Sequence, residues 1–355
     1  MFSRRFKYRL LEEIYEQPYA LLNTLKCCSE DLKFLRERKY IPKKIIFMGM
    51  GSSYFASIYA EYLFSNFLTF HVDSLLASQQ LYYPKPIDRE SLVVAISQSG
   101  ESIETVNAVI KLKEKGVEIW CITNSPESTL AKISDVSMLM YAGEERCSTT
   151  KTFLSTIALI YMLWANMGIR EGYLPENFIE RAERSIVEIS DIISNNLDSW
   201  NALTQSLALR AINSKSAIIL GRGYNLCTAL EGALLFKEVS KVHAEGMDGG
   251  QYRHGPIELT SSEILIISLA TGATKNLMVK ISGETKKLGG NVMLISDDEN
   301  KEIVKETDIC LNKVEEPLSP LLFTVPLQLI AYNSAVLKGR NPDFGEYLTK
   351  ITRAE

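Results

Sequence analysis

Residues 44–63 read KIIFMGMGSSYFASIYAEYL, and residues 217–237 read AIILGRGYNLCTALEGALLFK. Each stretch opens with a short apolar run, passes through a G-x-G turn and continues in a helix-like pattern. The turns lie 172 residues apart, counted from Gly49 to Gly221. Two further pairs keep almost the same spacing. LVVAISQSG (92–100) matches ILIISLATG (264–272), with Ser97 and Ser268 offset by 171. VEIWCITN (117–124) matches NVMLISDD (291–298), with Thr123 and Ser296 offset by 173. Three landmarks at one spacing mark an internal repeat.

Within each copy the order is strand, turn, helix, strand, turn, helix, strand. That order predicts an α/β fold of two tandem three-layer α/β/α domains with mostly parallel sheets. The strands are apolar without alternation, as strands covered on both faces are. The expected boundaries are 40–175 for the first domain and 211–337 for the second. Around them we expect an N-terminal helical segment over 1–39, broken near Pro18, and a helical connector over 176–210. Residues 338–355, rich in Gly, Pro and charge, read as a C-terminal tail or lid.

A chain of 355 residues has room for two such domains, and 46% apolar with 23% charged residues is ordinary for a globular protein. Lys and Arg number 39 against 43 Asp and Glu, for a net charge of −4. That balance gives no electrostatic reason to expect nucleic acid or an anionic membrane as partner. No uninterrupted apolar run approaches the about 18 residues of a membrane span, and no apolar stretch follows the basic residues of MFSRRFKYRLLEEIYEQ. The expectation is therefore a cytoplasmic protein. The six cysteines (Cys27, Cys28, Cys121, Cys147, Cys227, Cys310) form no C-x-x-C pair and read as buried thiols. With three histidines, neither a metal site nor a cofactor is expected.

Ligands of open parallel sheets bind beyond the carboxyl ends of the strands. In the first copy those ends carry hydroxyls: Ser52 and Ser53, then Ser97, Ser99 and Ser102 with Gln98 between them, then Ser148, Thr149 and Thr150. Such clusters suit a phosphate ester, because helix N-termini present N–H groups and hydroxyls add donors. As isolated features they are ordinary helix caps. The matching loop of the second copy, Ser268 to Gly272, has fewer hydroxyls, so one anion site per chain is expected.

The second copy has acids instead. Glu231 and Glu238 stand seven apart on a helical pattern that also carries Leu and Ala, so they are expected on one face. A partly buried carboxylate there suits proton transfer; a solvated charge beside Lys237 or Lys241 is the plainer reading. His254 lies in a Gly-rich segment before Pro256 and can shuttle a proton near neutral pH, whereas His243 lies in the helical pattern and reads as structural. Lys350, near the end of the tail, is a candidate lid residue.

With these residues in view, the sequence resembles the sugar isomerase (SIS) superfamily. Within it, the resemblance is to the isomerase half of glucosamine-6-phosphate synthases and to stand-alone glucosamine-6-phosphate deaminases. It spans nearly the whole chain through LEEIYEQPYALLNTL (11–25), GSSY (51–54), SQSGES (97–102), TKTF (150–153), LEGALLFKEVSKVHAE (230–245), RHGP (253–256) and LTKITRAE (348–355). The resemblance implies a sugar-phosphate site from Ser52, Ser53, Ser97, Gln98, Ser99 and Ser102, with Thr149 as a further substrate contact. It implies Glu238 as the carrier of the proton between C1 and C2, His254 as the ring opener and Lys350 as the residue that closes over the sugar. It also implies a homodimer in which the His254 loop completes the neighbouring subunit's site.

Two departures qualify the match. Residue 2 is Phe, and the chain carries no glutaminase segment ahead of the isomerase region. The loop 142–151, AGEERCSTTK, is a residue shorter than in the synthases and holds Arg146. The expectation placed first is accordingly a deaminase that converts glucosamine 6-phosphate and water to fructose 6-phosphate and ammonia. Beside it stand a synthase isomerase subunit fed by a separate amidotransferase, a fructosamine-6-phosphate deglycase, and a non-catalytic sugar-phosphate sensor.

Overall fold

The computed structural model describes residues 6–38, 42–67, 70–297, 300–345 and 347. The N-terminal segment forms α1 (Arg9–Tyr15), α2 (Gln17–Asp31) and α3 (Phe34–Glu37). The break falls just ahead of Pro18, which sits in the first turn of α2, where its missing N–H has no helical partner to lose. Then follow β1 (Lys44–Gly49), α4 (Ser52–Phe64), β2 (His71–Leu76), α5 (Ala77–Tyr82), β3 (Ser91–Ile96), α6 (Ile103–Glu114), β4 (Glu118–Thr123), α7 (Thr129–Ile133) and β5 (Val136–Leu139). Two long helices come next, α8 (Lys151–Arg170) and α9 (Phe178–Asn213). The second copy runs β6 (Ser216–Gly221), α10 (Asn225–Leu235), a π-helical turn (Phe236–Ser240), β7 (Ala244–Asp248), α11 (Gly249–Tyr252), β8 (Ile264–Ala270), α12 (Lys275–Lys287), β9 (Asn291–Ser296), α13 (Lys301–Glu306), β10 (Ile309–Cys310) and α14 (Ser319–Leu337).

The chain divides into two compact units: residues 19–145 with 151–188, and residues 189–348 with 1–18 and 146–150. In the first unit five parallel strands lie in the order β2-β1-β3-β4-β5. Successive side chains point to opposite faces, so each central strand feeds two cores. Ile46, Met48, Val93, Ala95, Ile119 and Cys121 share one core with Val106, Val109 and Leu112 of α6 and Leu130 of α7. On the other face Phe47 meets Phe64 of α4 with ring centroids 5.1 Å apart, and Trp120 meets Phe34 of α3 edge-on at 5.1 Å. Burying each such ring contributes roughly 1.5–3 kcal/mol.

In the second unit the order is β10-β9-β8-β6-β7, again all parallel. Ile218, Leu220, Ile266, Val292 and Leu294 share a core with Tyr252 of α11 and with Met278 and Ile281 of α12. The opposite face is covered by α10 and α14, which meet closely at Gly232, where an added Cβ would lie 2.6 Å from Leu327. The two sheets therefore share one topology, with β6 standing where β1 stands. The fold class expected from the repeat is the one observed.

The repeat reading predicted three strands per copy, and each sheet has five. The missed strands β2, β5, β7 and β10 are the edges of the two sheets. Helices α8 and α14, the latter with its 3₁₀ turn from Glu316, are long and apolar enough to cross a membrane, but 89% of each apolar window is buried inside the fold. They are core helices. Burial of the thiols holds for Cys28, Cys121, Cys147 and Cys227 and fails for Cys310, which is exposed on edge strand β10, and for half-buried Cys27.

Candidate active site

Strand order reverses around β1 in the first unit, so the crevice beyond the ends of β1 and β3 is the switch point where such sheets bind ligands. Ser52 and Ser53 open α4 directly after β1, and residues 97–102 lead from β3 into α6. Gly49 lets the two segments approach: a Cβ there would lie 2.8 Å from Ser53 and 3.0 Å from the Ile96 carbonyl. The structure thus brings Ser52, Ser53, Ser97, Gln98, Ser99 and Ser102 to one switch point.

The 97–102 loop is held from below. The Gln98 carbonyl accepts the Asn124 N–H at 3.0 Å, and the Glu101 carboxylate accepts the N–H and hydroxyl of Thr129 at 2.7 and 2.8 Å. Gly100 has φ +67°, and a Cβ would stand 2.1 Å from the Ser128 hydroxyl, so only glycine fits. Ser102 is the N-cap residue of α6, yet its side chain makes no capping bond; its hydroxyl faces that of Ser97 at 3.3 Å. Ser99, Gln98 and Ser102 are half-buried and Ser97 is buried. Hydroxyls grouped beside helix N–H donors can take a phosphate without a buried cation.

Thr149 belongs to the second unit. Its segment is fixed by Glu13 of α1, a residue that sequence reading passed over. The fully buried Glu13 carboxylate accepts the backbone N–H groups of Arg146 and Cys147 at 2.8 and 3.2 Å, and Arg9 pairs with it at 3.3 Å. A signal was present: Glu13 falls on the buried stripe of Leu10, Ile14 and Gln17. In the first unit, buried Glu145 accepts the N–H and hydroxyl of Thr152 at 3.2 and 2.6 Å. The Glu145 carboxylate is thus committed to holding the start of α8.

Glu238 lies in the π-helical turn that extends α10, half-buried, while Glu231 is fully buried in α10. Between them the helix changes from α to the wider π turn, so the unbroken 3.6-residue spacing on which the expected common face rests is absent. The turn ends on Lys241 in the left-handed region (φ +52°), and the Lys338 ammonium donates to the carbonyls of Ser240 and Lys241 at 2.9 and 3.3 Å. Burial first, then Arg340, lowers the Lys338 pKa from its ordinary value. His243 is not in the helix; it is exposed in the link to β7. His254 is exposed after α11 and lines a cavity of about 450 Å³ with Arg222, Gly250, Arg253, Leu277 and Ile281. Lys350 lies outside the described residues. Among the described residues no three His, Cys, Asp or Glu side chains are grouped to hold a metal ion.

The model of the SIS domain matches residues 40–165 and, a second time, residues 211–338. The chain belongs to the SIS family. Its two SIS segments are the two copies read from the repeat. This SIS chain is 34% identical over 353 residues to the isomerizing glutamine–fructose-6-phosphate aminotransferase of Pyrococcus horikoshii, covering 99% of this chain and 58% of that protein. It is 32% identical over 354 residues to the enzyme of the same name from Thermococcus kodakarensis, with 99% and 58% covered. The chain therefore spans under two thirds of the length of these relatives. Among solved structures, the C-terminal domain of glucosamine-fructose-6-phosphate aminotransferase from Francisella tularensis matches with TM-score 0.87 and 27% identity, over 96% of this chain and 99% of that one. A glucosamine-6-phosphate deaminase from Thermotoga maritima matches in fold at TM-score 0.75 and 23% identity, over 97% and 99%. These are sugar-phosphate isomerase relatives.

Proposed function

We propose that this SIS chain catalyses the isomerising step between fructose 6-phosphate plus ammonia and glucosamine 6-phosphate plus water. The observation that carries the reading is the 34% identity over 99% of the chain to an isomerizing glutamine–fructose-6-phosphate aminotransferase. In this reading the serine cluster of the first unit takes the phosphate, and Thr149 adds a contact to the sugar. His254 assists opening of the ring by passing a proton to the ring oxygen as the anomeric hydroxyl gives one up. Ammonia condenses with the C2 carbonyl and water leaves, giving a C2 imine. Glu238 then takes a proton from C1 and returns it to C2, while the C1 hydroxyl proton passes to the imine nitrogen, which places the aldehyde at C1 and the amine at C2. Its position on a π-helical turn supports the role, since such turns recur at functional sites. Lys350 closes over the bound sugar.

A deaminase is the same sequence of steps run toward hydrolysis, and it is the second reading. Similarity favours the synthase-type assignment, because the deaminase likeness is one of fold. The exposure of His254 supports a homodimer in which this side chain serves a neighbouring copy.

The test is incubation of the purified chain with fructose 6-phosphate and ammonium, and separately with glucosamine 6-phosphate, in heavy water. Formation of the amino sugar or release of ammonia, with deuterium entering at C1 or C2, is expected. Glu238→Gln should lower the rate by about 10²–10⁴-fold while sugar binding persists. Absence of turnover and of carbon–hydrogen exchange in both directions sinks the proposal. For the homodimer, mixing Glu238→Gln with His254→Asn chains should recover activity; no recovery from an exchanged mixture opposes it.

A further inference from the structure

The second sheet has a switch point of its own, around β6, where the hydroxyls of the first copy are absent and Arg222 follows the strand. Beside it lies the cavity of about 450 Å³. Arg222, Arg253 and His254 line its polar side, and Leu277 and Ile281 of α12 its apolar side. The guanidinium of Arg222 lies across Gly250, where a Cβ would stand 2.9 Å from Nη2.

The local ion pairs are long. Asp248 spends Oδ1 on the N–H groups of Gly250 and Gln251, at 2.6 and 3.1 Å, and reaches Arg222 only at 3.6 Å through Oδ2. Glu284 is shared between Arg253 at 3.7 Å and Lys280 at 3.9 Å. The two arginines that line the cavity are thus held only by long pairs to two carboxylates, one engaged by backbone and the other shared with Lys280 outside the lining. Both arginines keep guanidinium donors directed at nothing closer than these long pairs among the described residues. A planar guanidinium matches phosphate oxygens in pairs.

We propose that this cavity is a second anion site, which takes a small organic phosphate monoester: the phosphate on Arg222 and Arg253, and the carbon body against Leu277 and Ile281. It is separate from the serine cluster of the first unit; His254, which the proposed function assigns to ring opening, lines it as well and is left unchanged in the test below.

The test uses the full chain carrying Ser97→Ala and Ser99→Ala, which weakens the serine cluster, with calorimetric titration of phenyl phosphate and of inorganic phosphate. Saturable binding of phenyl phosphate is expected, weakened at least tenfold by Arg222→Gln or by Arg253→Gln, with inorganic phosphate binding more weakly than the ester. Arg253 is half exposed, so its variant should melt with the parent and carries the test even if Arg222→Gln disturbs the fold. No binding, or binding indifferent to Arg253→Gln, overturns the site. Equal affinity for the ester and the inorganic ion overturns the organic ligand. Arginine variants that change subunit association in sedimentation while leaving phosphate affinity alone assign these side chains to a subunit contact and overturn it as well.

Discussion

Glu13 holds the backbone N–H of Arg146 at 2.8 Å across 133 positions of sequence, from inside a helix where its carboxylate has no exposed surface. Glu13→Gln sets an amide N–H₂ against backbone donors and leaves at least one buried group unsatisfied, a cost of about 1–3 kcal/mol. Urea unfolding should show that loss. Because Thr149 follows on the same segment, KM for fructose 6-phosphate should rise more than kcat falls. A full stability loss with unchanged KM would confine Glu13 to a scaffolding role.

Lys338 closes the carbonyl end of the turn that bears Glu238. Lys338→Met should cost little stability, on the order of 1 kcal/mol, since the ammonium is partly solvated. It should lower kcat about tenfold, a misplacement of Glu238, the residue proposed above to carry the proton. Lys338→Arg, which restores the donors, should recover most of the rate. Equal rates in parent and Lys338→Met would show that Glu238 is positioned without it.

Asp135 offers a pH signature. Burial pushes its pKa up, but the hydrogen bonds from Lys113 at 2.6 Å and from the Ile119 N–H at 2.8 Å outweigh it and hold the carboxyl below its ordinary value. A carboxyl lowered in the folded state stabilises above the unfolded value of about 3.9 and loses that contribution as pH falls toward the folded value. Asp135→Asn should therefore be less stable than the parent at pH 7, and the gap should narrow below about pH 4. An unchanged gap at pH 3 would contradict the assignment.

Thiol reactivity should follow burial. Desolvation pushes Cys28 and Cys227 up to about 12, whereas Cys310 is exposed on an edge strand. At pH 8 a maleimide should modify Cys310 first and reach Cys28 and Cys227 only when denaturant is added. Early labelling of Cys227 in peptide maps would be the contrary result.

The central strands were legible because they are covered on both faces, and continuous apolar runs such as LVVAI and ILIISLA are what double burial requires. The edges were not. HVDSLL and AEGMD are half-exposed and mix polar with apolar residues, and IC is two residues long, so none stands out from a loop. The serine cluster was readable for a related reason: small polar residues at the end of an apolar strand interrupt the pattern. The environment of Glu238 was not readable, because a single π turn changes the register of a helix and leaves no mark in residue type. Nor was the cationic cavity, whose members Arg222, Arg253 and Ile281 come from three separate segments.

The first helix has an unusual dependence on the far end of the chain. Tyr8 gives α1 no side-chain cap, and its leading N–H groups, on Arg9 and Leu10, are instead taken by the Asp343 carboxylate at 2.9 and 2.8 Å. A helix of seven residues does not hold itself together in water. During synthesis, at about 5–20 residues per second, α1 must wait on the order of tens of seconds for Asp343, the residue that completes it. Nascent chains stalled short of Asp343 should thus expose residues 9–15 to proteases long after the first sheet has closed.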